Sequence, residues 1–363
     1  MYKRLLGFAL LMLILALAMS ACGPSTPPAP SPQPTSPPPT KAELQLPADE
    51  SITDATCNEN NATIPSPCPD ARPLHFIVIT HGNPHSKFWA VVENGVNQAA
   101  EDMRVEVTYK SPDTFDLDAM ANMIDDAVAS HPDGIAVSIP NADILKPHIQ
   151  KAFDAGIPVV SLNSGSIVAE EIGVLGHFGQ GEYTAGNAAG ERILGEGIHK
   201  GLCLIQEAQN TALQVRCQGF ADALNAADVD VSTLIVETDD PIEAQQKIDE
   251  ALANDTTIDA VLALGPSVGE PALAVLQEKN LIGKVKLAAF DLSPTLLEAL
   301  KNGEVLFLID QQPYLQGYLP ILYLMLYYEN LSKPAVKIVL TGPDIITKED
   351  ADKVLRYSQE SLR

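Results

Sequence analysis

The chain has 363 residues and a formal net charge of −24, from 47 acidic and 23 basic side chains. With no basic patch to neutralise phosphate, that balance excludes nucleic acid and anionic membrane surfaces as partners. The stretch beyond the N-terminal region is long enough for two domains of ordinary size.

Residues 1–21 read as an export signal. Lys3 and Arg4 give a basic start, residues 5–17 an apolar core, and Met19-Ser20-Ala21 a small-residue cleavage site followed directly by Cys22. The apolar core is too short to span a bilayer comfortably, and no charged stop follows it. A cysteine in that place looks like a bacterial lipobox, which implies a lipidated Cys22 and attachment to a membrane through that lipid. Residues 22–51 are rich in Pro, Ser and Thr; they cannot bury a core and favour polyproline II. At about 3.1 Å per residue such a tether reaches about 80–90 Å. An N-terminal arm over 52–73 joins it to the folded part. Apart from Cys22 the cysteines are Cys57, Cys68, Cys203 and Cys217. An even count in an exported chain points to two disulfides, and proximity favours Cys57–Cys68 and Cys203–Cys217.

From His75 onward, short apolar runs alternate with helical spacings. The run HFIVIT is rich in β-branched residues and bounded by Gly82 and Pro84, which predicts a buried strand. Trp89, Val92, Val96 and Ala99 then recur at helical spacing. Further strands are predicted over 105–109, 134–139, 158–162 and 173–178, with helices over 117–129 and 144–155. The rhythm restarts with a helix over 183–194. Strands follow over 202–206, 233–237, 260–264, 285–290 and 305–309, with helices over 212–224, 244–252, 270–279 and 294–302. An apolar helix over 314–328 and a strand over 336–340 complete the series. Near-continuous apolar strands between helices mark parallel sheets covered on both faces. The fold class is α/β: two doubly wound parallel-sheet lobes, with a ligand held between the carboxyl ends of their strands.

Several motifs at those strand ends admit a plainer reading. Gly265-Pro266-Ser267-Val268-Gly269 matches a nucleophile elbow between strand and helix. The hydrolase triad then needs a histidine after the serine, and every histidine here precedes Ser267. A ligand-facing turn fits better, and hydrolysis of a generic ester through Ser267 is the test of the alternative. His81 and His85 lie in a loop with no third ligand nearby, so neither a metal nor any cofactor is expected. The glycines at 179, 181, 186 and 190 lack the lysine and spacing of phosphate-binding loops; they suit a crossover and a close helix contact. Phe88 and Trp89 are core residues in the plain reading. Their company argues otherwise: Asn163-Ser164, Asp291 and Asp310-Gln311-Gln312 all follow predicted strands. Hydroxyls of a neutral polyol need both donors and acceptors, and their C–H faces pack on rings.

The order THGNPHSKFW, DGIAVSIP, AGIPVVSLNS, GQGEYTAGNAAGERI, VRCQGF, LAAFDLSP and DQQPYLQGY resembles the periplasmic sugar-binding proteins of the ribose/galactose-binding type. These are the substrate-binding lipoproteins of ABC transporters. The resemblance implies two lobes joined by three crossover strands, a type I periplasmic binding protein fold. It divides the chain into an N-terminal lobe of 74–180 plus 312–340 and a C-terminal lobe of 181–311 plus 341–363. It implies a non-enzymatic monomer at the cell surface or in the periplasm that closes on a monosaccharide and delivers it to an ABC permease. The alternative is a receptor presenting a sugar, nucleoside or quorum signal to a membrane sensor kinase. Carried over by position, Phe88 and Trp89 match the stacking aromatics, and Asn163 and Ser164 a polar pair. Gln214 stands where many members have arginine, with Arg216 two residues on. Asp291 matches an aspartate and Gln311 a hinge amide, while Asp239 replaces an aromatic. His81 and Ser86 complete the expected ligand set as hydroxyl partners.

Overall fold

The computed structural model describes residues 72–363 apart from 84, 85 and 239. The signal, Cys22, the tether, nearly all of the arm, the Cys57–Cys68 pairing, His85 and Asp239 lie outside the described residues.

The first block runs β1 (His75–Ile79), α1 (Lys87–Met103), β2 (Glu106–Lys110), α2 (Leu117–Ala129), β3 (Gly134–Ser138), α3 (Ala142–Asp154), β4 (Val159–Leu162), α4 (Ala169–Ile172) and β5 (His177–Gln180). The second runs α5 (Glu182–Leu194), β6 (Lys200–Ile205), α6 (Thr211–Asn225), β7 (Asp230–Ile235), α7 (Pro241–Asn254), β8 (Ala260–Ala263), α8 (Pro266–Glu278), β9 (Lys286–Phe290), α9 (Pro294–Asn302) and β10 (Phe307–Asp310). Then come α10 (Pro313–Asn330), β11 (Ile338–Gly342), β12 (Asp344–Ile346) and α11 (Ala351–Gln359).

Two six-stranded sheets result, ordered β2-β1-β3-β4-β5-β11 and β7-β6-β8-β9-β10-β12. The winding is the same in both. All neighbours pair in parallel except β12, which lies antiparallel on β10. The chain passes from the first sheet to the second at Gly181, returns at Gln311–Gln312, and passes again at Gly342–Pro343. The inner strands of each sheet are buried on both faces, which is why they read as apolar runs rather than alternating ones, whereas the edge strands β2, β7 and β11 stay partly exposed. In β1, Phe76 and Val78 enter the core beneath α1 and α10, whereas Ile77 and Ile79 enter the core beneath α2 and α3.

Helix starts gather at the carboxyl ends of the strands, where their caps are set. Asp116, Asn141, Asn210, Asp240 and Ser293 each accept a backbone N–H of the following turn. Capping by Asn141 starts α3 two residues earlier than its apolar spacing predicts. Pro266 starts α8 four residues early, because proline suits the first helical position. The strand predicted over 173–178 begins only at His177; α4 precedes it and ends on Gly173 in the left-handed region, φ 92°. β12 and α11 were not foreseen. β12 is too short for a periodic signal, whereas Ala351, Val354 and Leu355 do carry helical spacing for α11.

The second block is held by α5 against α6. A Cβ on Gly186 would stand 1.9 Å from the carbonyl oxygen of Arg216, and one on Gly219 2.1 Å from that of Tyr183. The expected close helix packing at Gly186 is present, and it fixes which face of α6 turns inward. Cys203 of β6 and Cys217 of α6 form the predicted disulfide, with Cα atoms 5.9 Å apart.

Candidate functional site

A cavity of about 620 Å³ lies between the carboxyl ends of the two sheets, with residues of both blocks in its walls. The first wall begins at the end of β1. Trp89 lies across Gly82, where a Cβ would stand 1.4 Å from the indole nitrogen, so this crossing admits only glycine. Its ring meets Phe88 edge-on at 5.1 Å and His81 at 4.9 Å; Phe115 meets the imidazole from another side at 5.8 Å. The result is an aromatic floor assembled from β1, α1 and the loop before α2.

His81 is fixed within that floor. Its Nε2 accepts from Asn210 Nδ2 at 3.3 Å, so Nδ1 carries the hydrogen and donates to Ser138 Oγ at 2.8 Å. Burial, with the Arg216 charge adding to it, pushes its pKa down to about 3. The ring is neutral at any ordinary pH.

At the end of β4, Asn163 adopts a left-handed φ of 58°, which its short polar side chain tolerates. Its Nδ2 donates to Gln316 Oε1 at 3.0 Å, and its Oδ1 accepts from Ser164 Oγ at 3.1 Å. Gln316 is fully buried and also donates to the Gln311 carbonyl and to Thr341 Oγ1, both at 3.1 Å. This one amide therefore ties a cavity residue to two of the three places where the chain crosses between sheets.

The second wall is more polar. Asp291, at the end of β9, also has a left-handed φ, 66°. Its Oδ1 accepts from Gln311 Nε2 at 2.5 Å. Burial pushes the carboxyl up to about 7, even though Arg216 and the Gln311 amide pull it down. Arg216 donates through Nε to Glu182 Oε2 at 2.7 Å, and its guanidinium lies 4.4 Å over the Phe290 ring. Both partners are almost wholly buried, and burial raises the Glu182 pKa despite the arginine.

Across the mouth the two blocks touch directly. Thr211 donates through N and Oγ1 to the Pro140 carbonyl at 2.9 and 2.8 Å, and Asn141 Nδ2 donates to the Gln209 carbonyl at 3.3 Å.

Of the residues singled out from sequence, His81, Ser86, Phe88, Trp89, Asn163 and Ser164 line the cavity from the first side. Arg216, Asp291 and Gln311 line it from the second side and the crossover. Gln214 does not. It is exposed and donates to the Ala208 carbonyl. Two residues on a helix are about 200° apart, so Gln214 and Arg216 cannot share a face; Leu213 takes the inward place. Ser267 lines the cavity in the first turn of α8, while the cavity histidine His81 bonds Ser138 and Asn210 rather than this serine. Among the described residues no three His, Cys, Asp or Glu side chains gather as a metal would require. Sequence reasoning missed Gln206, Glu207 and Asn210, which follow β6. Their signal was present: polar residues right after a predicted strand and a capping asparagine before the next helix.

The periplasmic binding protein domain family matches residues 76–330, from β1 to the end of α10. The xylose/arabinose-binding protein XylF of Sulfolobus acidocaldarius is 25% identical over 308 residues, 79% of this chain and 74% of that protein. The D-ribose/D-allose-binding protein of Pseudomonas aeruginosa is 27% identical over 213 residues, 55% of this chain and 64% of that protein. Among solved structures, a carbohydrate transporter from Acidothermus cellulolyticus 11B, in complex with myo-inositol, matches with a TM-score of 0.75 and 33% identity. That match covers 80% of this chain and 100% of the other. Family membership implies a periplasmic or extracellular location. By fold, by sheet winding and by this match over most of the described residues, the chain belongs to the periplasmic binding protein domain family.

Proposed function

We propose that this protein is the substrate-binding component of an ABC transporter, which captures a monosaccharide or related neutral polyol between closing lobes and delivers it to a membrane permease. The carrying observation is the pairing of walls: the Phe88–Trp89 aromatic floor, with Asn163 beside it, shares one cavity with the polar groups Asp291 and Gln311 of the other side. Rings receive the C–H face of a polyol, while amides and a carboxylate bind its hydroxyls. The ligands named for XylF and for the Acidothermus protein agree with this reading. A binding role without turnover is in keeping with a family that is non-enzymatic in general.

Lobes of 74–180 plus 312–340 and 181–311 plus 341–363 swing about the three crossovers, and ligand contacts to both lobes select the closed form. A lipid on Cys22 and the proline-rich tether hold this monomer at the membrane, within reach of the permease.

The test is calorimetry against pentoses, hexoses and cyclic polyols, with Asp291→Ala alongside. We expect at least one ligand to bind, and the substitution to weaken it by about 2–3 kcal/mol because a buried ligand hydroxyl loses its partner. No binding across the panel, or an unchanged affinity in the variant, sinks the proposal.

A further inference from the structure

Resting on the reading above, a path of hydrogen bonds joins the two walls by way of the crossovers. Asn163 Nδ2 donates to Gln316 Oε1, Gln316 Nε2 to the Gln311 carbonyl, and Gln311 Nε2 to Asp291 Oδ1. The ends of this path are the residues that follow β4 and β9. Its middle is Gln316, wholly buried at the start of α10 and outside the cavity lining. A carbonyl only accepts, so the Gln316 amide cannot be turned round, and its oxygen is committed to Asn163.

The neighbours of this amide fall into two groups. α10 lies against α1 at backbone contact: a Cβ on Gly317 would stand 2.0 Å from the Val92 carbonyl oxygen, and one on Gly95 2.1 Å from that of Tyr314. Gln316 is thereby held in the same lobe as Asn163. The groups to which it donates belong to the crossovers instead. Gln311 opens one, and Thr341 stands just before Gly342 in another. β11 loses its register with β5 between Leu340 and Gly342; Thr341 sits in that irregularity, buried where Leu340 is exposed. Irregularities of this kind re-aim a side chain, and here the hydroxyl is brought to 3.1 Å from Gln316 Nε2.

A swing of the lobes is taken up as backbone rotation at the crossovers. It therefore changes what the Gln316 amide is offered, and the setting of Asn163 with it. We propose that Gln316 is a positioning residue: it touches no ligand, but it sets Asn163 against the crossovers so that Asn163 and Asp291 meet the ligand together in one hinge state.

The test is titration calorimetry with D-xylose, D-ribose, D-glucose and myo-inositol, taking the tightest binder of the parent protein as the probe for each variant. Gln316→Met keeps the length of the side chain but removes all three bonds. Thr341→Val removes one of them from outside the cavity, and unliganded melting curves report folding separately. We expect Gln316→Met to weaken the probe about tenfold and Thr341→Val about threefold. Added to Gln316→Met, Thr341→Val should change nothing further, and after Asn163→Ala the Gln316 substitution should cost less than in the parent. Parent-like affinity in a folded Gln316→Met variant, or losses that simply add, overturns the inference while leaving ligand binding intact. Should Gln316→Met not fold, parent-like affinity in Thr341→Val overturns it instead. No binding of any of the four by the parent overturns the transport reading as well.

Discussion

Asn163 after β4 and Asp291 after β9 occupy matching places in two sheets of the same winding, and both take a left-handed φ. Around them the walls diverge. Asn163 is a neutral amide bonded to Gln316, beside an aromatic floor in which both ring nitrogens of His81 are already paired. Asp291 is an acid raised by burial, beside the buried Arg216–Glu182 pair and the Gln206 and Gln311 amides. The first wall is mainly aromatic, and the second carries the ionisable groups of the cavity.

The largest effect expected is at the second wall. Arg216→Met leaves the buried Glu182 without its partner, which should cost about 3 kcal/mol of stability in denaturant unfolding. Adding Glu182→Gln should recover most of that loss. If the single variant is as stable as the parent, the second wall does not depend on this ion pair.

Trp89→Ala tests the first wall. Removing the indole over Gly82 should cost about 3 kcal/mol of stability and most ligand affinity, measured by melting and by calorimetry. Full affinity in a folded variant would show that the aromatic floor is only core.

A third experiment separates the walls by pH. Ligand hydroxyls donating to Asp291 favour its ionised form, so affinity should fall as pH drops below about 7, by up to about tenfold per unit. His81 stays neutral to about pH 3 and contributes nothing to that profile. An affinity that stays flat between pH 8 and 5 would remove Asp291 from the ligand contact.

Stability without ligand shows opposite signs. His81 and His177, both lowered to about 3, make the protein less stable as pH falls below about 6.5, by up to about 1.4 kcal/mol per unit each. Asp291, raised in the folded state, favours folding at low pH and loses that contribution as pH rises through about 4 to 7. Melting curves between pH 5 and 8 give the balance.

The smallest effect is expected at Gln214→Ala, within about 0.5 kcal/mol for both stability and binding, because the side chain is exposed outside the cavity. A larger loss of affinity would require α6 to present another face.

Much of this site was legible in the sequence because it follows from local properties. Parallel strands buried on both faces leave unbroken apolar runs, and ligands gather just beyond their carboxyl ends. Phe88, Trp89, Asn163, Asp291 and Gln311 could therefore be placed by where each strand stops. What tertiary structure alone decided is orientation and partnership. The contact at Gly186 and Gly219 sets the inward face of α6, so Leu213 rather than Gln214 meets the cavity. The bond from Asn163 to Gln316 joins residues 153 apart in the chain, and Gln311 is turned by an acid 20 residues away. Strand ends are written in the residues beside them, whereas a polar group's freedom to bind a ligand depends on which distant acceptor has already claimed its hydrogens.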